Sequence, residues 1–516
     1  MHSIPINVSK KILADISSGI YRTPANALKE LVSNAFDAGA HKVVISTNAP
    51  YFNVFTCEDD GEGISAKDFE KIINIIGSST KRAEGVTIKD GRPIIGKIGI
   101  GFLAVAQICT KFTVISKKKG EKNYFQAKID LKQFEEVEKE KSFTNAEGKI
   151  SLGSGDMEED LEDELGKNAH YTKIIMEELK EGFHSNLVEE ESKRMFKITE
   201  EAAKSESLIN FIGSIKKKTF NELSQYDQLI WELGILCPVE YIGNGPLPDN
   251  KVIHSDVERL RGYDFKVFVD GFEIRKPIIF PTNKYLIKKE SDYKVYPYIS
   301  FNEKIGSPLI FTGYVFHQRV KILPPELQGI LIRIKDVAVG EYDRTFLHYP
   351  KAEGPMFNQL TGEIFVEAGL EEALNIDRNS FNETHPHYLA LKKFLWDYLG
   401  RQDGVFRDIR NRSKERQDKF HKKQSKEELT RMVESLKDKF ELNIKVKWES
   451  KSFKSPYKYN KKSKNITFFS NSFWSKNEKK RLLQEKIVVA MIGAREISRN
   501  MESFEDNILK IFSDEK

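Results

Sequence analysis

The sequence predicts an α+β protein of several domains, on three observations. Its 516 residues exceed what one hydrophobic core organises and point to three domains. Residues 1–180 alternate helical and strand patterns, with helices near 9–19, 24–38 and 66–76 and strands near 41–47, 52–57, 112–117 and 124–130. From about 181 to 400 the texture changes to a helical piece, 205–236, followed by strands and turns of an α+β middle domain.

The helix at 24–38 carries the first functional signal. Leu28, Leu31, Val32, Ala35 and Phe36 recur at helical spacing, while Glu30, Asn34 and Asp37 fall on another stripe at i, i+4 and i+7. An acid, an amide and a second acid on one face suit a polarised water, a divalent cation and a phosphate chain, because each needs oxygen ligands or a proton acceptor. Next, Asp59-Asp60-Gly61-Glu62-Gly63 follows the apolar run VFTC and reads as a strand end turning through residues free to adopt positive φ. The polar, glycine-punctuated stretch from Gly77 to Gly96 reads as a lid. Gly96, Gly99 and Gly101, ahead of the helix-like FLAVAQIC, bring backbone N–H groups and a helix N-terminus to an anion.

Two other phosphate motifs fail on chemistry. Gly91 to Lys97 has P-loop spacing, but Ile98 stands where a magnesium-binding Ser or Thr is required. Gly99-x-Gly101-x-x-Ala104 imitates a dinucleotide fingerprint, yet Lys117 to Lys119 occupy the region where an acid would hold a ribose.

The three elements together, in this order over about 110 residues, resemble the gyrase, heat-shock-90, histidine-kinase and mismatch-repair ATPases, the GHKL superfamily, with the pattern nearest the heat-shock-90 branch. The resemblance implies a Bergerat-type α/β sandwich over 1–180 that binds ATP and Mg²⁺, with a lid at 77–101. By the same resemblance Glu30 is the general base for an in-line water, Asn34 holds magnesium, and Asp37 extends that face. Asp59 accepts the adenine amino group, Gly63 clears space for the base with Gly61 beside it in the turn, and Thr172 lies near the adenine. Ser78, Ser79, Thr80 and Lys81 in the lid wrap the phosphates, with backbone from Gly96, Lys97, Ile98, Gly99, Ile100, Gly101 and Phe102. Leu374-Asn375-Ile376-Asp377-Arg378 is similar to the middle-domain catalytic loop of the heat-shock-90 family, which implies that Arg378 reaches the γ-phosphate from another domain.

The remaining elements follow in order. The segment 135–168, with the acidic run GDMEEDLEDELG at 155–166, reads as a charged surface insertion. FKVFVDGFEI at 265–274 is a hairpin by its Asp270-Gly271 turn signal. IFTGYVFHQ, GILIRIKDVAVG and GEIFVEAGL read as middle-domain strands, before a helix near 386–399. Residues 401–440 suit a basic helix or linker, with Arg and Lys dominating up to Lys426 and an apolar stripe at Leu429, Met432, Val433, Leu436 and Phe440. A small α/β domain follows at 441–516, with a strand near 464–474 and an amphipathic helix after it.

A net charge of +5 permits nucleic acid as a partner without demanding it. The longest apolar stretch, Ile94 to Cys109, is broken by Lys97 and falls short of the roughly 20 residues a membrane span needs. Cys57, Cys109 and Cys237 lack paired spacing and read as buried thiols, and MHSIPINVSKK lacks a signal-peptide core, so a cytoplasmic location is expected. The sequence-level expectation is an ATPase driving a conformational clamp, chaperone-like on protein clients, with a nucleic-acid-associated or defence ATPase of microrchidia or mismatch-repair type as the alternative. A homodimer joined through the C-terminal region is expected, from the wide apolar face of residues 482–492.

Overall fold

The structure is a computed structural model describing residues 2–9, 23–74, 88–89, 92–93, 101–130, 149–162, 168–194, 220–282, 286–351, 353–375, 378–450, 454–469, 474–475, 477–499 and 501–513. It divides into two compact units, residues 1–398 and 399–516.

The first unit begins with β1 (His2–Ser9), α1 (Pro24–Asp37), β2 (Lys42–Ser46), β3 (Phe55–Asp59) and α2 (Ala66–Asn74). It continues with β4 (Ile88–Lys89), β5 (Arg92–Pro93), β6 (Cys109–Lys117), β7 (Asn123–Asp130), β8 (Lys149–Glu162) and β9 (Tyr171–Leu179). After α3 (Glu181–Glu189), α4 (Gln225–Leu236) and α5 (His254–Gly262) come β10 (Lys266–Val269) and β11 (Phe272–Ile274). Among the described residues, nine of these strands form one sheet in the order β1-β8-β7-β6-β9-β3-β2-β10-β11.

Helix α1 forms because its sequence supplies both ends as well as the periodicity. Thr23, in extended conformation, accepts from the Asn26 N–H through its side chain, and Pro24 occupies the first turn, where no N–H is missed. Gly39 at φ 77° turns the chain out of the helix. Leu28, Val32, Ala35 and Phe36 are buried, and Phe36 meets Tyr263 and Phe265 edge-on, with ring centroids 5.2 and 5.1 Å away.

Three features depart from the sequence reading. Residues 149–162, expected as part of a charged insertion, form β8 between β1 and β7. From 155 to 162 the acidic run is strand, with Met157 fully buried while Asp156 and Glu159 are exposed, so the pleat turns its apolar side chain inward and its acids outward. FLAVAQ, expected as helix-like, is the 3₁₀ segment Gly101–Gln107, because β6 already begins at Cys109 and leaves no room for further α turns. The sheet also continues past residue 180: β10 pairs in parallel with β2, and β11 hairpins onto β10 through Asp270 and Gly271, both at positive φ as the Asp-Gly signal requires. Most of the expected helix at 9–19 and most of the lid lie outside the described residues. At the lid's C-terminal side, buried Arg92 donates to the carbonyls of Ala40 and Tyr263 and lies over the rings of Phe36 and Phe265.

The middle segment adds β12 (Tyr293–Ile305), β13 (Ser307–Gln318), β14 (Gly329–Ile334), β15 (Val337–Asp343), β16 (Leu360–Ala368) and α6 (Pro386–Gly400). The strands form a second sheet ordered β12-β13-β16-β14-β15. Its interior holds an ion pair: Arg333 and Glu363, both fully buried, meet at 2.7 Å, and the hydroxyls of Tyr241 and Tyr314 donate to the other Glu363 oxygen. Arg333 also donates to the Ile235 carbonyl and Lys276 to the Cys237 carbonyl, so two buried side-chain donors satisfy the C-terminal end of α4.

The second unit comprises α7 (Val405–Phe440), β17 (Lys445–Glu449), β18 (Tyr457–Asn460), β19 (Asn465–Phe469), α8 (Glu478–Ile497) and α9 (Met501–Ser513). The three strands form a sheet ordered β17-β19-β18, and Leu436, Ile466, Phe468, Val489 and Ile511 contribute to its core. All three cysteines are buried and unpaired, as expected.

Candidate functional site

The site assembles around α1. Glu30 lies in the middle of this helix with only 1% of its surface exposed, an unusual position for a carboxylate. Its environment explains it. Arg378 donates to Glu30 Oε2 at 2.7 Å, and Lys29, also 1% exposed, stands 3.6 Å from Glu30 Oε1. Lys29 in turn donates to Asn379 Oδ1 at 3.1 Å. The residue expected as general base and the residue expected as trans-acting cation thus touch, although 348 positions separate them.

The electrostatics follow from burial and charge. Burial alone would raise the Glu30 carboxyl, but Arg378 and Lys29 outweigh it and hold the group below the usual carboxylate range. Burial pulls the Lys29 ammonium below its ordinary value against the attraction of Glu30, with Arg378 adding repulsion. Glu30 is therefore ionised, and while both cations hold it, it is a weak proton acceptor.

One and two turns further along α1, Asn34 and Asp37 are half-buried. Among the described residues no three His, Cys, Asp or Glu side chains cluster as a metal cage. A single amide oxygen suits magnesium, which keeps waters and takes most of its other ligands from phosphate.

At the sheet end of the site, Asp59 terminates β3 and lies directly opposite Thr172 of β9. Thr172 is also register partner to Ser116, with the two hydroxyl oxygens 3.0 Å apart, and Ser116 accepts from the Ile64 N–H at 2.9 Å. Asp59 Oδ1 accepts from the Gly61 N–H at 2.9 Å. Burial pushes the Asp59 carboxyl up to about 7, the Gly61 hydrogen bond opposing and the neighbouring Asp60 and Glu58 adding to the rise.

The two glycines are required by the fold around them. A Cβ on Gly61 would stand 2.8 Å from Asp59 Oδ1 and 2.9 Å from Ala38 Cβ, and one on Gly63, at φ 67°, would stand 1.9 Å from the Lys117 carbonyl oxygen. The turn therefore closes against Lys117, with the Lys119 N–H donating to the Glu62 carbonyl at 2.8 Å. Gly63 was expected to make room for the adenine; the neighbour that excludes a side chain there is the protein's own backbone.

Gly101 and Phe102 open the 3₁₀ segment, which packs against α1. Ser78, Ser79, Thr80, Lys81, Gly96, Lys97, Ile98, Gly99 and Ile100 lie outside the described residues. Lys29 and Asn379 were missed by sequence reasoning. The available signal was adjacency, since each is next to a residue already singled out.

Comparison with known proteins places residues of this region in a family. Residues 21–172 match the family model described as histidine kinase-, DNA gyrase B-, and HSP90-like ATPase. The N-terminal part of the chain belongs to the GHKL superfamily. Among its relatives, the chaperone protein HtpG of Clostridium perfringens is 22% identical over 432 residues, covering 78% of this chain and 64% of that protein. HtpG of Bacillus subtilis strain 168 is 27% identical over 245 residues, 42% of this chain and 38% of the relative. HtpG of Halalkalibacterium halodurans is 30% identical over 138 residues, 23% and 22% of the two chains. The similarity is thus of the heat-shock-90 kind within the GHKL superfamily, and the alignment with the Clostridium protein spans a little under two thirds of that relative's length.

Proposed function

We propose that this chain is a magnesium-dependent ATPase that couples slow hydrolysis to closure of a heat-shock-90-like clamp. The observation that carries the reading is the 2.7 Å contact between Glu30 and Arg378. Arg378 comes from a loop after the second sheet, so its arrival at α1 makes the site a composite of two parts of the chain.

In this reading Asp59 accepts the adenine amino group and Thr172 stands beside it. Asn34 holds magnesium, which when bound screens the phosphate charge and orients the chain of phosphates. The γ-phosphate competes with Glu30 for Arg378. Once the guanidinium stabilises charge developing on the transferred group, Glu30, still steadied by Lys29, is released to align and deprotonate the attacking water. Turnover is then gated, because the same cation cannot serve the carboxylate and the phosphate at full strength. The lid residues Ser78, Ser79, Thr80 and Lys81 and the glycines from Gly96 to Gly101 complete the phosphate cradle. The product is ADP and phosphate.

We place the chain in the cytoplasm and assign it protein clients. Support for a homodimer comes from α8, where Leu483, Ile487 and Met491 recur at i, i+4 and i+8 and are 54%, 39% and 49% exposed. A second reading, a nucleic-acid-associated ATPase, is favoured by one feature, the cation-rich exposed middle of α7.

The test is Glu30→Gln. A general base contributes about 10²–10⁴-fold, so steady-state turnover should fall by that order while calorimetric ATP affinity stays within a few-fold. Turnover near that of the unaltered protein would remove Glu30 from the mechanism.

A further inference from the structure

Helix α7 is buried at its two ends and solvated between them. Its buried side chains are Val405, Phe406 and Ile409 at the start and Leu429, Met432 and Leu436 near the finish. Between Ile409 and Leu429 no side chain is buried, so this stretch gains nothing from core packing. Residues 407–426 hold nine Arg or Lys against three Asp or Glu.

The cations are ordered along the helix. Arg412, Arg416, Lys419, Lys423 and Lys426 follow i, i+4, i+7, i+11 and i+14, one continuous face about 21 Å long at 1.5 Å per residue. The three lysines are exposed and the two arginines half-exposed. Like charges at these spacings oppose helix formation by about 0.2–0.5 kcal/mol per pair. Acidic neighbours offset part of this: Asp408 and Glu415 stand four residues before Arg412 and Lys419, Lys423 stands 3.7 Å from exposed Glu427, and Lys426 lies 5.2 Å over the Trp448 ring, contacts of small worth at a surface. The excess of cations that remains becomes favourable beside a regular polyanion.

The shape of the surface selects among polyanions. A helix that inserts into an anionic membrane needs an apolar face opposite its cations, and a protein interface needs a buried apolar centre. Among described residues of this exposed stretch, Phe420, 65% exposed, is its large apolar side chain. A uniform row of fixed cations without an apolar anchor fits a repeating phosphate chain.

We infer that the exposed middle of α7 binds the phosphate backbone of a nucleic acid, through the row Arg412, Arg416, Lys419, Lys423 and Lys426. The inference goes beyond ATP hydrolysis and does not depend on it.

The experiment is fluorescence anisotropy of the full chain with a labelled DNA duplex of about 30 base pairs, and a matched RNA duplex, from 50 to 200 mM salt. Five phosphate contacts give log K against log salt a slope of about −4 to −5 on B-DNA. The variant Lys419→Gln, Lys423→Gln, Lys426→Gln should flatten that slope by about 3 and weaken binding at least tenfold at low salt. Since Gln is a good helix former and these sites are exposed, its circular dichroism and ATP turnover should be unchanged. Charge reversal at Lys419 and Lys423 to Glu should weaken binding further, in the same assay. Tighter binding of one duplex than the other would identify DNA or RNA as the source of the phosphates. The inference is overturned if neither duplex binds at 50 mM salt, if the variants bind as the unaltered chain does, or if anionic vesicles bind where both duplexes fail. Because turnover is read separately, a chain that binds duplex but does not hydrolyse ATP fails the ATPase reading and leaves this one standing.

Discussion

At Glu30 a desolvation cost and two cationic partners compete, and the partners win. Asp59 shows the opposite balance, since no cation offsets its burial and its carboxyl rises to about 7. The sign of the linkage then follows. A carboxyl whose folded value lies above its unfolded one contributes stability below pH 4 that is lost as pH rises through about 7. Asp59→Asn should therefore raise the melting temperature of the nucleotide-free protein at pH 8 and leave it unchanged near pH 4. On the role proposed for Asp59, as charged acceptor for the adenine amino group, ATP affinity at pH 8 should fall by tenfold or more in the same variant. Thermal melts and calorimetry at the two pH values check both; an unchanged affinity would take Asp59 out of the adenine pocket. Glu30 was legible because its spacing to Asn34 and Asp37 set a polar stripe on an apolar helix, and Arg378 because of the Leu-Asn pair before it. Lys29 was not, since a lysine beside an acid on a helix ordinarily reads as solvated.

Among the elements, α1, the 265–274 hairpin and α7 follow from periodicity, caps and turn chemistry that are local in sequence. Strand β8 does not. Its second half is mostly acidic, and its place in the sheet is set by pairing with β1 and β7 on either side, which no local pattern encodes. The reach of the first sheet to β11 was equally hidden, because β10 joins β2 across more than two hundred residues. The buried pair of Arg333 and Glu363 holds the second sheet to the end of α4. Replacing Glu363 by Ala leaves a guanidinium buried without its carboxylate and should cost about 3–5 kcal/mol, read as a lower denaturant midpoint. A midpoint within the error of the unaltered protein would show that the pair has no such role.

For the whole molecule, the exposed stripe of α8 and the composite site make separable claims. Light scattering should give a dimer for the full chain, and Leu483→Lys with Ile487→Lys should return it to monomer; a monomer before substitution would remove the second jaw of the clamp. Ending the chain near residue 180 is a poor probe of the composite site, because it strips β10 and β11 from the edge of β2 and Tyr263 and Phe265 from Phe36. Arg378→Ala leaves those contacts in place and tests the central claim directly. Single-turnover hydrolysis by this variant should be slower by about 10²–10³-fold with ATP affinity within a few-fold, as loss of a transition-state cation requires. Hydrolysis at the unaltered rate would contradict the account.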